Sequence, residues 1–437
     1  MNKIDAGNTA WLLVSTALVL IMMPGLALFY GGLVRTKNVL STFMHTLVAL
    51  GVVTIQWTLF GYSLAFGPDV GGVIGSGAHF FLSGVGFDPR PGMTVPHLLF
   101  MVYQLMFAAI TPALVSGAFA ERISFRGYIL FVLAWTTFVY DPVAHWIWAP
   151  GGWLAQLGAL DFAGGIVVHV TSGLSALVFA LVVGRRLGYP REKSVPHNLT
   201  MTLLGAGLLW FGWFGFNGGS SLAADNTAVL ALVNSQLAAA TGAMVWLAID
   251  LKRWRKGGSL GYASGFIAAL ATITPAAGFV SPRAALGIGV IAAVVCYLGV
   301  MAKDRFRYDD TLDAFGIHGV GGVVGSLLLG VFATKVWNSA GANGLLEHNA
   351  HFFVVQAIAV GVSAVYSIAV TFGLLKLLEA TVGLRVASDV EREGLDVNLH
   401  GEEGYAMGAS ANTMGYTVQE DNAESAERFP QTASNLL

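Results

Sequence analysis

The chain has 437 residues, a formal net charge of −2, and only 11% Asp, Glu, Lys and Arg against 55% hydrophobic residues. An average soluble domain carries about 25% charged residues, so this balance excludes an ordinary soluble domain and describes a polytopic membrane protein. It also leaves no basic surface large enough for a nucleic-acid partner, and the single cysteine, Cys296, excludes an internal disulfide framework.

Runs with at most one charged residue and long enough to cross about 30 Å of hydrocarbon as a helix, about 20 residues each, lie near residues 9–34, 38–66, 94–120, 127–148, 161–184, 198–220, 226–250, 259–280, 284–302, 312–333 and 350–378. The first is too long for a signal-peptide core and lacks a basic leading region with a small-residue cleavage site, so it is expected to remain as a span. The predicted fold is therefore all-α: eleven transmembrane helices within residues 1–379. The odd-numbered connections hold fifteen Lys and Arg, whereas the opposite side holds four, Lys3, Arg90, Arg283 and Lys335. That bias places the N-terminus outside and the C-terminus in the cytoplasm of a cell (inner) membrane, with the lipid bilayer as the surrounding solvent.

Two segments carry an ionisable histidine inside an apolar run: LDFAGGIVVHVTS with His169, and LDAFGIHGVGGVVGS with His318. Such side chains are costly in a span and face a cavity or a partner, so matching contexts suggest a pathway. They fall in the fifth and tenth spans, which makes spans 1–5 and 6–10 two copies of one unit. Because five is odd, the copies are inverted, leaving a 5+5 repeat plus a final helix. At 1.5 Å per residue His169 lies about 12 Å below Asp161 and His318 about 7.5 Å above Asp313, leaving about 10 Å of depth for tilt or deeper entry to close. Both aspartates precede apolar runs and read as helix N-caps, Asp313 as nothing more.

Three further constellations lie on the outer halves of their spans. Tyr103 and Phe107 share a face of span 3 beside Gln104; Trp213, Phe216 and Ser220 share a face of span 6; and Trp148 ends span 4. Aromatic faces hold cations and a hydroxyl accepts one of their hydrogen bonds, although Trp148 also fits an interfacial belt. Asp141, near the outer end of span 4, reads at most as an extracellular electrostatic group. No metal-ligand spacing such as HExxH is present, so no metal and no cofactor are expected.

The stretches PGLALFYGGLVRTKNVL, AHWIWAPGGWLAQLGALDFAGGIVVHVTSG, WFGFNGGS, DAFGIHGVGGVVGSLLLGVFA and GLRVASDVEREGLDVNLHGEEGY, in that family's order, resemble an ammonium transporter of the Amt/Mep/Rh family over about residues 10–405. The resemblance implies a homotrimer with one pore per subunit. It puts an outer ammonium-recruiting site on Phe107, Trp148, Phe216 and Ser220, with the two phenylalanines as a stacked gate. The twin pore histidines fall on His169 and His318, the structural and functional aspartate of the pore and proton relay on Asp161, and the pore tryptophan on Trp213. The outer tryptophan and serine favour the Amt branch. The implied function is recruitment of ammonium, its deprotonation, and conduction of ammonia with a proton relayed through the histidines.

Residues 380–405 resemble the cytoplasmic regulatory segment that meets PII-class signalling proteins. Residues 406–437 are too polar to bury a core and are expected to be disordered. An ammonium sensor signalling through its tail is the alternative function. A membrane enzyme built on the histidine pair is disfavoured because no nucleophile or third ligand accompanies it.

Overall fold

The computed structural model describes residues 3–192 and 195–405, so the expectation for residues 406–437 lies outside the described residues. Among the described residues, ten helices are long and apolar enough to cross a membrane, and an eleventh apolar helix is shorter. In chain order they are α1 (Ala6–Leu33), α2 (Thr36–Phe66), α3 (His97–Ala118) and α4, in which Phe125–Trp135 passes through a π-helical turn, Thr136–Tyr140, into Asp141–Trp148. There follow α5 (Gly165–Val183), α6 (Leu199–Ser221), α7 (Asn226–Trp254), the short α8 (Ser259–Ile273), α9 (Pro282–Phe306), α10 (Phe315–Phe332) and α11 (Ala350–Thr381). A small antiparallel hairpin, β1 (Asp69–Val70) with β2 (Ile74–Gly75), follows α2.

The expected 22-residue eighth span is a 15-residue helix followed by turns through residues 274–280. Pro275 accounts for the break: Thr274 before it is still helical, but Pro275 has no N–H for the next helical bond and its ring clashes with the carbonyl four residues back. The Pro275 carbonyl accepts from Phe162 N, so the broken segment supports the chain entering α5.

One end of the bundle collects the charges. Glu121 pairs with Arg35 at 2.9 Å and Arg186 at 3.2 Å, while Asp309 pairs with Arg186 at 2.9 Å. The fully buried Arg122 donates to the carbonyls of Ala118 and Asp309. The segment after α11 lies over the same end: Glu391 accepts from Leu187 N and pairs with Arg385, and Asp396 accepts from Leu40 N and Ser41 N at the start of α2. Lys37 caps the other way, donating to the carbonyls of Glu391 and Arg392. Four connections and the C-terminal segment therefore share one ionic face, which is where the charge bias in the sequence had gathered most of the basic residues.

Candidate functional site

His169 and His318 touch. Their Nδ1 atoms are 3.2 Å apart and their rings lie within 11° of parallel. Each occupies a π-helical turn, Gly165–Val170 and Phe315–Gly319 respectively. The helices come close enough because residue 173 is glycine: a Cβ there would stand 2.0 Å from Gly319 N. Of the two aspartates taken as surface markers, Asp161 is itself inside the protein at 6% exposed, so the depth gap estimated from sequence is too wide on that side, while Asp313 keeps 29% of its side chain exposed. Trp213 stacks on His169 at 5.8 Å and is anchored by its indole N–H on Thr274 Oγ1, 3.0 Å away in the broken segment after α8.

A hydrogen bond between two Nδ1 atoms constrains the pair. One ring supplies the N–H and the other the lone pair, so two neutral imidazoles must be opposite tautomers. The outward-facing nitrogens are then one acceptor and one donor. The cavity beside them, lined by Leu26, Val168, Trp213 and both histidines, is about 10 Å³, room for about one water-sized molecule.

The sequence points to Asp161 as the N-cap; the N-cap position is Gly164, and Asp161 caps the helix with its side chain from three residues earlier. Its carboxylate accepts from the N–H groups of Gly164, Gly165, Ile166 and Val167 at 2.6–3.0 Å, which satisfies the donors at the start of α5. Gly164 makes the turn possible with φ +110°, a region open to glycine. The Asp161 carbonyl in turn accepts from Trp148 Nε1 at 2.8 Å.

Asp313 is not the cap of α10. That role belongs to Asp310, which accepts from Ala314 N at 3.1 Å and Phe315 N at 2.9 Å, whereas Asp313 sits at φ +62° and pairs with Lys303. Burial, reinforced by the Asp313 charge, pushes the Asp310 carboxyl up to about 6. Lys303, Asp313 and Arg186 border a second cavity of about 210 Å³ that reaches Ile317, next to His318.

A third cavity, about 120 Å³, lies at the far end of the passage and is bordered by Phe66, Gln104, Phe107, Trp148 and Ser220. Phe107 and Phe216 pack with ring centres 4.3 Å apart, and Phe107 meets Trp148 edge-on at 5.9 Å. Ser220 donates to the Phe216 carbonyl at 2.8 Å, which leaves its oxygen lone pairs free to accept. The eight residues singled out from sequence thus form one column: Trp148, Ser220, Phe107, Phe216, Trp213, His169 and His318, with Asp161 holding the start of α5 beside it.

Sequence reasoning missed Thr274 and Asp310, whose roles depend on where helices break. It also misplaced Asp141. That residue is fully buried between α2 and α4 and bonded to Gln56 Nε2 at 2.7 Å, so it is not an extracellular charge.

Among the described residues, ten long apolar helices packed around a buried pair of histidines fit a multi-pass membrane protein. A sequence model of the Ammonium Transporter Family matches residues 10–405. The chain is 48% identical over 404 residues to an ammonium transporter of Bacillus subtilis, covering 91% of this chain and 98% of that protein. It is 47% identical over 401 residues to ammonium transporter Amt1 of Archaeoglobus fulgidus, covering 91% and 99%. Among solved structures, Saccharomyces cerevisiae Mep2 superposes with a TM-score of 0.84 at 39% identity over 89% of each chain. A structure described as Sensor Amt Protein gives 0.83 at 29% identity over 90% of this chain and 98% of that one. This chain belongs to the ammonium transporter family.

Proposed function

We propose that the protein takes up ammonium at the cavity bordered by Trp148, Phe107 and Ser220 and passes it through the Phe107–Phe216 pair. It then conducts ammonia past the His169–His318 pair, which relays the proton. The buried histidine contact at 3.2 Å carries this reading. Carrying the intact ion through an apolar passage is costly. The relay avoids it: the ring whose outward nitrogen is a lone pair accepts the proton, passes its Nδ1 proton to its partner, and the partner releases its outward N–H. Both rings end neutral with tautomers exchanged, and the pair must reset before the next proton. Asp161 holds the first turn of the helix that carries His169.

In this reading eleven helices span the bilayer as a 5+5 inverted repeat plus α11. The ionic face and the segment of residues 380–405 are cytoplasmic and the N-terminus is outside. Three copies assemble, each with its own passage, and a PII-class protein is a fitting partner for the cytoplasmic face. The chemistry asked of the chain is transport rather than catalysis. The likeness to a structure described as a sensor supports a second reading, in which ammonium binds and the tail signals without useful flux.

The test is current across bilayers holding the purified protein, evoked by ammonium and compared with potassium. Transport requires an ammonium-selective current that disappears when both His169 and His318 are replaced by Leu in a folded protein. Ammonium binding without current would instead favour the sensor, and a wild-type current in the double variant would end the relay.

A further inference from the structure

His145 lies in the last turn of α4, fully buried, with both ring nitrogens against acceptors. Nδ1 is 2.9 Å from the Ala65 carbonyl and Nε2 is 2.8 Å from Asp69 Oδ1. The ring is therefore tied on both sides. The His145 hydrogen bond holds the Asp69 carboxyl below its usual range, and Gly72 N also donates to it at 2.9 Å. Ala65 lies near the C-terminus of α2 as His145 lies near that of α4, so the ring joins the ends of two helices.

The two tied segments both contribute to the wall of the outer cavity. Phe66 follows Ala65 directly, and Trp148 stands one helical turn beyond His145; both border the cavity. The hairpin begun by Asp69 is fastened to the same helix by Trp146 Nε1, which donates to the Val73 carbonyl at 2.7 Å.

We propose that His145 is a positioning residue for the outer cation site: with both ring nitrogens tied, to Ala65 and to Asp69, it fixes the spacing between the Phe66 wall and the Trp148 face. This rests on the outer cavity being the ammonium-recruiting site. His145 touches no substrate; it acts through Trp148.

The experiment measures ammonium-evoked current against ammonium concentration for wild type, His145→Leu, Asp69→Leu, Asp69→Asn, Trp148→Leu and the His145→Leu/Trp148→Leu double variant. Asp69 starts the small hairpin with 31% of its side chain exposed, so its variants keep the test available if His145→Leu does not fold. The two Leu variants of the pair should raise the half-saturating concentration at least about threefold, the size of loss expected for one weakened cation–π contact, with the limiting current unchanged. Asp69→Asn should stay near wild type, since an amide donates to a neutral ring and keeps both hydrogen bonds. In the Trp148→Leu background, His145→Leu should add nothing. If Trp148→Leu raises half-saturation while His145→Leu and Asp69→Leu do not, the positioning role is overturned and the outer site stands. Additive effects in the double variant, or a lowered limiting current at unchanged half-saturation, also overturn it. If Trp148→Leu itself changes nothing, the outer-site reading fails and takes this role with it.

Discussion

The indole N–H of Trp148 donates to the backbone carbonyl of Asp161 at 2.8 Å, while the Asp161 carboxylate gathers four N–H groups of the first turn of α5. The aromatic wall of the outer cavity and the helix carrying His169 are therefore held by one residue. A short, hydrogen-bonded path thus joins Trp148 to the helix of the histidine pair.

Replacing Trp148 by Leu or Ser220 by Ala should weaken apparent ammonium affinity without unfolding the protein. A cation–π contact is worth about 0.5–2 kcal/mol, which is about 2- to 30-fold. Concentration-dependent currents and ammonium-to-potassium ratios check this; unchanged values in both variants would return Trp148 to an interfacial belt.

The close approach behind the histidines gives a sharper test. Gly173→Ala places a methyl 2.0 Å from Gly319 N, so α5 and α10 must separate. Overpacking of this kind costs about 1–3 kcal/mol. A lower thermal midpoint should accompany loss of ammonium current, and a variant with wild-type current would show that the 3.2 Å contact is not needed for transport.

Much of this column was legible in the sequence because its signals are local. His169 and His318 stand out as ionisable residues in apolar runs, and Phe107, Phe216 and Ser220 follow helical spacing. What was illegible depends on contacts distant in sequence or on where a helix begins. Asp309, Asp310 and Asp313 all precede α10, and the choice of cap rests on which one reaches the Ala314 and Phe315 N–H groups. Asp141 resembled an exposed outer charge until α2 brought Gln56 to it. The break after Ile273 did have a signal, Pro275, which the unbroken hydropathy concealed.

Acid should loosen the ionic face. Burial alone would raise the Glu121 and Asp309 carboxyls, but Arg35 and Arg186 around Glu121, and Arg186 and Arg122 around Asp309, outweigh it and hold both below their usual range. A depressed folded value contributes stability above the unfolded value, about 4, and loses it as pH falls through the folded value. The thermal midpoint of purified protein should drop in that acid window. Glu121→Gln should flatten the drop and lower the midpoint at neutral pH, since removing one partner of a buried pair costs about 3–5 kcal/mol. A pH-independent midpoint in wild type would contradict this.

The C-terminal segment should divide functionally at residue 405. Removing residues 406–437 is expected to leave transport intact, while truncation from Thr381 removes the Asp396 contacts with Leu40 and Ser41 and should impair transport or its regulation. Asp396→Ala, a lost cap worth about 0.5–2 kcal/mol, should reproduce part of that defect. Equal currents from all three variants would deny the segment any role.

Both histidines ride in π-helical turns, and such a turn holds one residue more than the α-helix around it would need. Deleting a single residue there would close the wide turn into an α-helical one and leave the helix beyond it in phase, whereas the same deletion in the α-helical part would turn everything beyond by about 100°. The extra residue therefore sets the local direction of the imidazole and not the length of the helix that carries it. One codon could re-aim an imidazole out of the pair while the rest of its helix keeps its packing.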